Sequence, residues 1–407
     1  MRDLLTPGNV GRKALVCDPV CILSYGHAMP ALNHYRRLLA HRFEEVHCLS
    51  SKAFPEELAR ENDFDRAFTF LYNAYIPVMS QNEFNQLVKD HPAFSDCYAD
   101  PYERVATADA QYILSRYELT CEDTILMPGA DFYGIIGFLN ALATLPENLR
   151  PKIFIRLIGV LEGSTPFYDD PIGELCRRIG AATSAGLRVY LSAETPTYAT
   201  YVNERTGLVT YVTPYPKTSE RVPLPRTEAF NILCAGSARL DKGFHFLLEI
   251  MQSVNAGLSE RRVRLTTQTL PVNGNEAWDF YTSQLYGTSG VTLLEPVISS
   301  DFMHELYCAC DIVLLPYDPG VYRLRGSAVM MEAAGVGRLC LALRGSAFSQ
   351  QVEYYGLGEV VDSISEMPGA IRRMAALPRD RMEQRIDQAR SRFFLDIDAA
   401  YSHWLSL

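Results

Sequence analysis

DIVLLPYDPGVYRLRGSAVMMEAAGVGRLCLAL, residues 311–343, holds two apolar runs separated by a glycine-punctuated loop and an alanine-rich stretch. DIVLLPY (311–317) reads as a fully buried strand, and the loop DPGVYRLRG follows it. A helix is expected from Gly326 or Ser327 to about Gly335–Gly337, and RLCLAL (338–343) reads as the next strand. Continuous apolar strands joined through a helix indicate a parallel sheet covered on both faces. On that helix Glu332 stands among Ala328, Val329, Met330, Met331, Ala333 and Ala334. A carboxylate in apolar surroundings is costly unless something pairs with it, so Glu332 needs a partner.

The same pattern runs through the chain. KALVC (13–17), EEVHCLS (44–50), DTILMPG (123–129), KIFIRLIG (152–159) and LRVYLSAE (187–194) read as strands of a first half. Helices are expected near Met29–Arg42 and over GIIGFLNALATL (134–145), and residues 52–120 read as mostly helical. PYPKTSERVPLPR (214–226), with four prolines, reads as a linker. NILCAG (231–236), VRLTTQ (263–268) and VTLLEP (291–296) are strands of a second half, and Asp380 to Leu407 is helical by period. The expected fold is α/β, with two Rossmann-like parallel-sheet domains facing across a cleft. Residues 1–218 form an N-terminal domain, 219–394 a C-terminal domain, and 395–407 a terminal helix that packs back on the first. In such sheets ligands bind beyond the carboxyl ends of the strands.

Composition narrows the function. The chain has 407 residues, long enough for two cores, and 21% of them are charged. A net charge of −10 argues against a general grip on nucleic acid. The ten cysteines are scattered without a CxxC pair, which signals no zinc site and suits a reducing cytosol. The N-terminus shows no apolar signal region, and no run approaches the ~20 residues of a membrane span. A cytoplasmic protein is expected, with peripheral membrane contact left open.

Two stretches carry chemistry. In CAGSARLDKGFHFLLEIM (234–251) a strand ends at Gly236, Arg239 lies in a short loop, and Lys242-Gly243 is expected to open a helix. Glycine admits close backbone approach, a helix start favours anions, and Arg239 and Lys242 add two charges. This describes a diphosphate cradle, or else a capped surface turn with solvated basic residues. In the opening stretch, Arg323 and Arg325 precede the helix, and Glu332 shares a face with Ala328 and Gly335. Its two oxygens suit the adjacent hydroxyls of a ribose. The alternative is an internal salt bridge to Arg325 or Arg344.

These two motifs, with VTLLEPVISSDFMHELYCACDIVLLPY between them, resemble the C-terminal domain of retaining glycosyltransferases of family 4, which have the GT-B fold. The resemblance is specific over about Asn231–Asp362 and weaker before it. It implies a nucleotide-diphosphate sugar as donor. Arg239 and Lys242 would then bind the diphosphate and act in catalysis, and Glu332 would bind the ribose. Backbone at Pro296–Val297 would hold the base. The first Glu of the family's E-x7-E motif falls on Leu324, so Tyr322, Arg325, Gly326 and Ser327 are expected to form a variant sugar pocket. In the N-terminal half, Gly26 and His27 match the family's glycine-containing loop. Asp131 and Glu162, in GADFYG and GVLEGS, are further candidates for acceptor contact. His34 and His41 read as structural.

Asp63-Phe64-Asp65 and Asp396-Ile397-Asp398 have metal-binding DxD spacing, but neither clearly ends an apolar strand, and no metal or other cofactor is expected. The implied function is retaining transfer from the donor to a hydroxyl of a glycan, a lipid-linked or a small-molecule acceptor, with no protein nucleophile. Two alternatives stay open: a nucleotide-sugar-binding protein without turnover, since Leu324 replaces a carboxylate, and a GT-B-fold sugar-nucleotide epimerase.

Overall fold

A computed structural model describes residues 13–22, 28–69, 101–163, 165, 168–215, 220–257, 262–269 and 278–407. The chain divides into two compact units, Met1–Thr213 with Ala399–Leu407, and Pro214–Asp398.

The first unit is built on strands β1 (Lys13–Cys17), β2 (Glu45–Ser51), β3 (Phe64–Phe68), β4 (Thr124–Met127), β5 (Lys152–Leu157), β6 (Val189–Ala193) and β7 (Thr210–Val212). They form one sheet in the order β3-β2-β1-β4-β5-β6-β7, with every pairing parallel. The chain moves outward from β1 to β3, then returns to the other side of β1 at β4. Strand order therefore reverses between β1 and β4, and ligand sites form at such a point. Helices Pro101–Tyr117 and Phe132–Ala143 cover this region. A Cβ at Gly137 would lie 2.5 Å from the Ala106 carbonyl, so that glycine lets the two helices approach closely.

Residues 399–407 complete the first unit. They end the helix Arg379–Trp404 and the short tail after it. Trp404 packs edge-on against Phe154 with ring centroids 5.6 Å apart, and the hydroxyls of Tyr401 and Tyr35 hydrogen-bond at 3.0 Å. The expectation of helix through most of 52–120 misses β3. In FDRAF, Phe64, Ala67 and Phe68 are buried while Asp65 and Arg66 are partly open, a short edge strand hidden among polar flanks. Residues 70–100 of that stretch lie outside the described residues.

The second unit holds β8 (Phe230–Cys234), β9 (Val263–Gln268), β10 (Val291–Leu294), β11 (Ile312–Leu315), β12 (Leu339–Leu343) and β13 (Gly358–Val361). Their order is β10-β9-β8-β11-β12-β13, again all parallel. Order reverses here between β8 and β11. The stretch 311–343 becomes β11, a loop, the helix Ala328–Val336 and β12, with Ile312 in register with Leu339. Apolar side chains of β8, β9, β11 and β12 pack with Leu247, Met251, Ile371 and Met374 from the covering helices.

Arg338, at the start of this second run, is almost fully buried, and no carboxylate among the described residues forms an ion pair with it. Its guanidinium donates to the carbonyls of Tyr307, Cys308, Val222, Pro223 and Gly337. These backbone acceptors, with the Val336 carbonyl at 3.4 Å, satisfy the buried cation and tie the proline-rich segment to the end of the Glu332 helix. No described helix is long and apolar enough to cross a membrane.

Candidate functional site

The second unit brings the two sequence motifs together at its strand-order reversal, because one follows β8 and the other follows β11. Gly236, just past β8, has φ +96°, and a Cβ there would meet the Lys242 Nζ at 2.7 Å. The ammonium thus rests over the glycine at the carboxyl end of β8. It also lies 5.6 Å from the ring centroid of Tyr317, which follows β11, within cation–π range. Gly236→Ala is expected to displace this ammonium, and a diphosphate that meets it would then bind about tenfold more weakly, as on removal of a charge-assisted hydrogen bond; titration calorimetry reads it.

Lys242 does not open a helix, contrary to expectation. It ends a 3-10 turn, Leu240–Lys242, and Gly243 turns left-handed with φ +74°. The α-helix begins only at Leu247. The cause is packing: a Cβ at Gly243 would lie 2.2 Å from the Pro316 carbonyl, so the turn presses on the strand end and the helix starts beyond it. The turn sets Arg239 beside Asp241, whose oxygens take its Nε at 2.7 Å and its Nη2. Burial pulls the Lys242 ammonium below its usual range, and Arg239 adds to that. Cys234, Asp241 and Glu332 oppose the shift without cancelling it. The position is short of negative charge, which a bound diphosphate would supply.

Glu332 is half-buried and opens on the same helix face as Ala328. It acts electrostatically on Lys242 and on Tyr307, whose phenol burial and then Glu332 push far up. Arg344 is engaged elsewhere, with Glu353 at 2.9 Å and Asp362 at 2.5 Å. Ser327 caps the helix, its Oγ accepting from the Met330 N–H at 3.2 Å. Tyr322 is buried with its ring 4.7 Å from Tyr317, and Arg325 lies 6.0 Å from the Tyr322 centroid, beside the half-open Gly326. Leu324 is turned into the protein, 8% exposed. Arg239, Lys242, Tyr322, Arg325 and Glu332 are therefore linked through shared neighbours.

Pro296 and Val297 stand apart in the sheet, after the edge strand β10. The Pro296 carbonyl accepts from the Gln268 side chain at 2.8 Å, and Val297 is 73% exposed.

The first unit gathers carboxyls at its own reversal point. Asp131 caps the helix Phe132–Ala143 through Oδ1, which accepts from the Gly134 N–H at 2.8 Å. Its Oδ2 is fully buried with no hydrogen-bond partner. Glu162, after β5, braces its own turn by accepting from the Ile158 and Val160 N–H groups. That occupies both oxygens, so Glu162 is less open to an acceptor than expected. Asp18, directly after β1, accepts from Val20 N–H at 2.9 Å. Burial raises all three carboxyls to about 7. Gly26 and His27 lie outside the described residues. His34 is driven down to about 4, by burial first and then by Arg37 and Arg156.

Asp18, Asp241 and Tyr317 were not singled out by motif. Each has a local signal: Asp18 ends an apolar strand, Tyr317 ends the apolar run of β11, and Asp241 follows Arg239 by two. Of the DxD pairs, Asp65 pairs with Arg116 at 3.1 Å and Asp396 accepts from Tyr355 at 3.1 Å. Among the described residues, no three His, Cys, Asp or Glu side chains group to hold a metal ion.

No family model matches the sequence, and no curated protein matches it. Solved structures do resemble it. Sucrose-phosphate synthase from Thermosynechococcus elongatus is 12% identical over 95% of this chain and 94% of its own, with a TM-score of 0.62. The α,α-trehalose 6-phosphate synthase from Burkholderia multivorans is 11% identical over 97% of this chain and 95% of its own, with a TM-score of 0.61. An E. coli trehalose-6-phosphate structure bound with UDP-2-fluoro glucose is 11% identical over 97% of both chains, with a TM-score of 0.60. The likeness spans both units and establishes the shared two-domain α/β fold, GT-B.

Proposed function

We propose that the chain is a retaining glycosyltransferase of the family 4 type, moving a sugar from a nucleotide-diphosphate sugar to an acceptor hydroxyl. The observation that carries this is the meeting of Gly236, Lys242 and Glu332 at the β8/β11 reversal, where the half-buried ammonium is short of counter-charge. The neighbours support it, since one binds a UDP-sugar analogue and two are named as sugar-phosphate synthases.

Glu332 holds the ribose diol through its two oxygens. Lys242, Arg239 and the helix start at Ser327 take the diphosphate. As the sugar–phosphate bond lengthens, negative charge grows on the leaving oxygen, and fixed cations stabilise it without reorganising. The acceptor hydroxyl attacks from the face the diphosphate leaves, and the departing phosphate takes its proton. No protein nucleophile and no metal take part. Asp131, with an unpartnered buried oxygen, receives an acceptor hydroxyl.

Glu332→Gln is expected to weaken donor binding about tenfold to a hundredfold, the range for a hydrogen bond to a charged group. The transfer reading itself is tested by mixing the protein with UDP- and GDP-sugars and following the anomeric proton by NMR. A product with the donor's anomeric configuration supports it. Donor binding with neither transfer nor hydrolysis assigns the chain to carriage of the nucleotide sugar, a reading that the inward-turned Leu324 keeps open. Conversion to an epimer assigns it to epimerisation.

A further inference from the structure

We propose that Tyr317 is a positioning residue of the donor site, the face of its ring holding the Lys242 ammonium where the diphosphate meets it. The inference rests on the donor reading above and deepens it.

A lysine ammonium ends a flexible four-carbon stem, and ordering that stem costs rotamer freedom. Among the described residues Lys242 forms no ion pair, and the acid before it in the chain, Asp241, has both oxygens on the Arg239 guanidinium. What the structure sets against the ammonium is Gly236, just past β8, and the ring of Tyr317, just past β11, with its centroid 5.6 Å from Nζ. Strands β8 and β11 are neighbours in the sheet. The ammonium is therefore seated at the reversal point by groups that the sheet itself aligns.

The ring is itself held. Tyr317 is buried, with its ring 4.7 Å from that of Tyr322 and 5.5 Å, edge-on, from that of Phe348. Its backbone is also clamped to the turn that carries Lys242. The Asp318 N–H donates to the Asp241 carbonyl at 2.9 Å, and the Pro316 carbonyl closes on Gly243. The residues on either side of Tyr317 thus grip the residues on either side of Lys242.

The negative face of a phenol ring attracts a cation, and more so where water is excluded. It takes none of the three ammonium donors, which stay available to phosphate oxygens. A carboxylate in the same place would hold the ammonium more firmly, but it would cancel the charge that a diphosphate needs. The Tyr317 hydroxyl is buried with no hydrogen-bond partner, so the ring carries the role and phenylalanine is expected to serve as well.

Titration of UDP and of GDP into the full chain tests this, read on the nucleotide that wild type binds. Tyr317→Leu is expected to bind it about fivefold to thirtyfold more weakly, the span of a partly to fully desolvated cation–π contact, and Tyr317→Phe within about threefold of wild type. Phenylalanine carrying one, two or three ring fluorines at position 317 keeps the packing while drawing electrons from the face. Affinity is expected to fall stepwise along that series, which decides the matter even where the leucine variant does not fold. In a Lys242→Ala background the leucine and fluorine effects are expected to shrink to within about twofold, because the group they act through is gone. An affinity that does not respond to the fluorines overturns the proposal. So does a Tyr317→Leu loss of equal size with and without Lys242, which marks Tyr317 as support for the fold only. A Tyr317→Phe loss as large as that of Tyr317→Leu also overturns it, since the hydroxyl is then the working group. Each of these results leaves the donor reading standing. No binding of either nucleotide by wild type overturns both readings together.

Discussion

Lys242→Ala is expected to lower turnover by about a hundredfold to a thousandfold, the effect of removing one fixed donor from a site of developing negative charge. Three features make the loss large. The ammonium is half-buried, so water replaces it poorly. It lies over Gly236, where a side chain would run into it. Arg239 makes up little of the loss, because Asp241 holds its Nε and Nη2 and offsets part of its charge. Lys242→Arg is expected to restore little, since the ammonium is seated close against Gly236 and a larger planar guanidinium cannot take the same position as a point charge. Single-turnover kinetics at saturating donor separate this loss in the chemical step from weaker binding. A variant with turnover within threefold of wild type would remove Lys242 from the mechanism.

The second large effect concerns stability and pH. Asp18, Asp131 and Glu162 have carboxyls raised to about 7, mainly by burial. A raised carboxyl means that the native state holds protons the unfolded chain has released. The stability this confers is fully present below the unfolded values near 4 and is lost as pH rises through about 7. The protein is therefore expected to unfold at lower denaturant concentration at pH 8 than at pH 5.5. Asp131→Asn isolates one group. Its Oδ1 can keep the helix cap, and it removes a buried charge whose cost is about 4 kcal/mol for a three-unit shift. The new amide leaves buried donors unpaired, which returns about 1–3 kcal/mol of that. A net gain of about 1–3 kcal/mol at pH 8 is expected, shrinking and then reversing toward pH 5, where the native wild-type carboxyl is already protonated and only the unpaired amide remains. The same variant is expected to raise the acceptor KM. Stability and activity thus move in opposite directions, as they do when an active-site group is strained by its role. A variant less stable than wild type at pH 8 would contradict this reading of Asp131.

Much of the fold was legible because continuous apolar strands and small-residue helices carry their own signal. KALVC, NILCAG and DIVLLPY all became strands. The strands that the sequence pattern does not announce, β3, β7 and β13, are short and lie at sheet edges, where a polar face dilutes the apolar signal. The start of the helix after Lys242 was misread because a left-handed Gly243 looks in sequence like an ordinary helix-opening residue. Its meaning depends on Pro316, far along the chain. Candidate site residues were legible where a strand end coincided with a charged or glycine residue, as at Gly236 and Lys242, or where a carboxylate interrupted an apolar helix, as at Glu332. Asp241 was not, since its role comes from a pairing with Arg239 that only the 3-10 turn creates. Glu162 reads in sequence as a candidate for acceptor contact; that its oxygens also brace its own turn is a local bond that sequence spacing alone does not reveal.

Calorimetric titration of UDP and GDP, and of their sugars, into wild type, Lys242→Ala and Glu332→Gln tests the central claim most directly. Micromolar binding of one nucleotide series to wild type is predicted. Both variants are predicted to bind that series at least tenfold more weakly, Lys242→Ala because the diphosphate has no ammonium to meet and Glu332→Gln because the ribose diol has no carboxylate. Binding that both variants retain at wild-type affinity, or no binding by wild type, would contradict it.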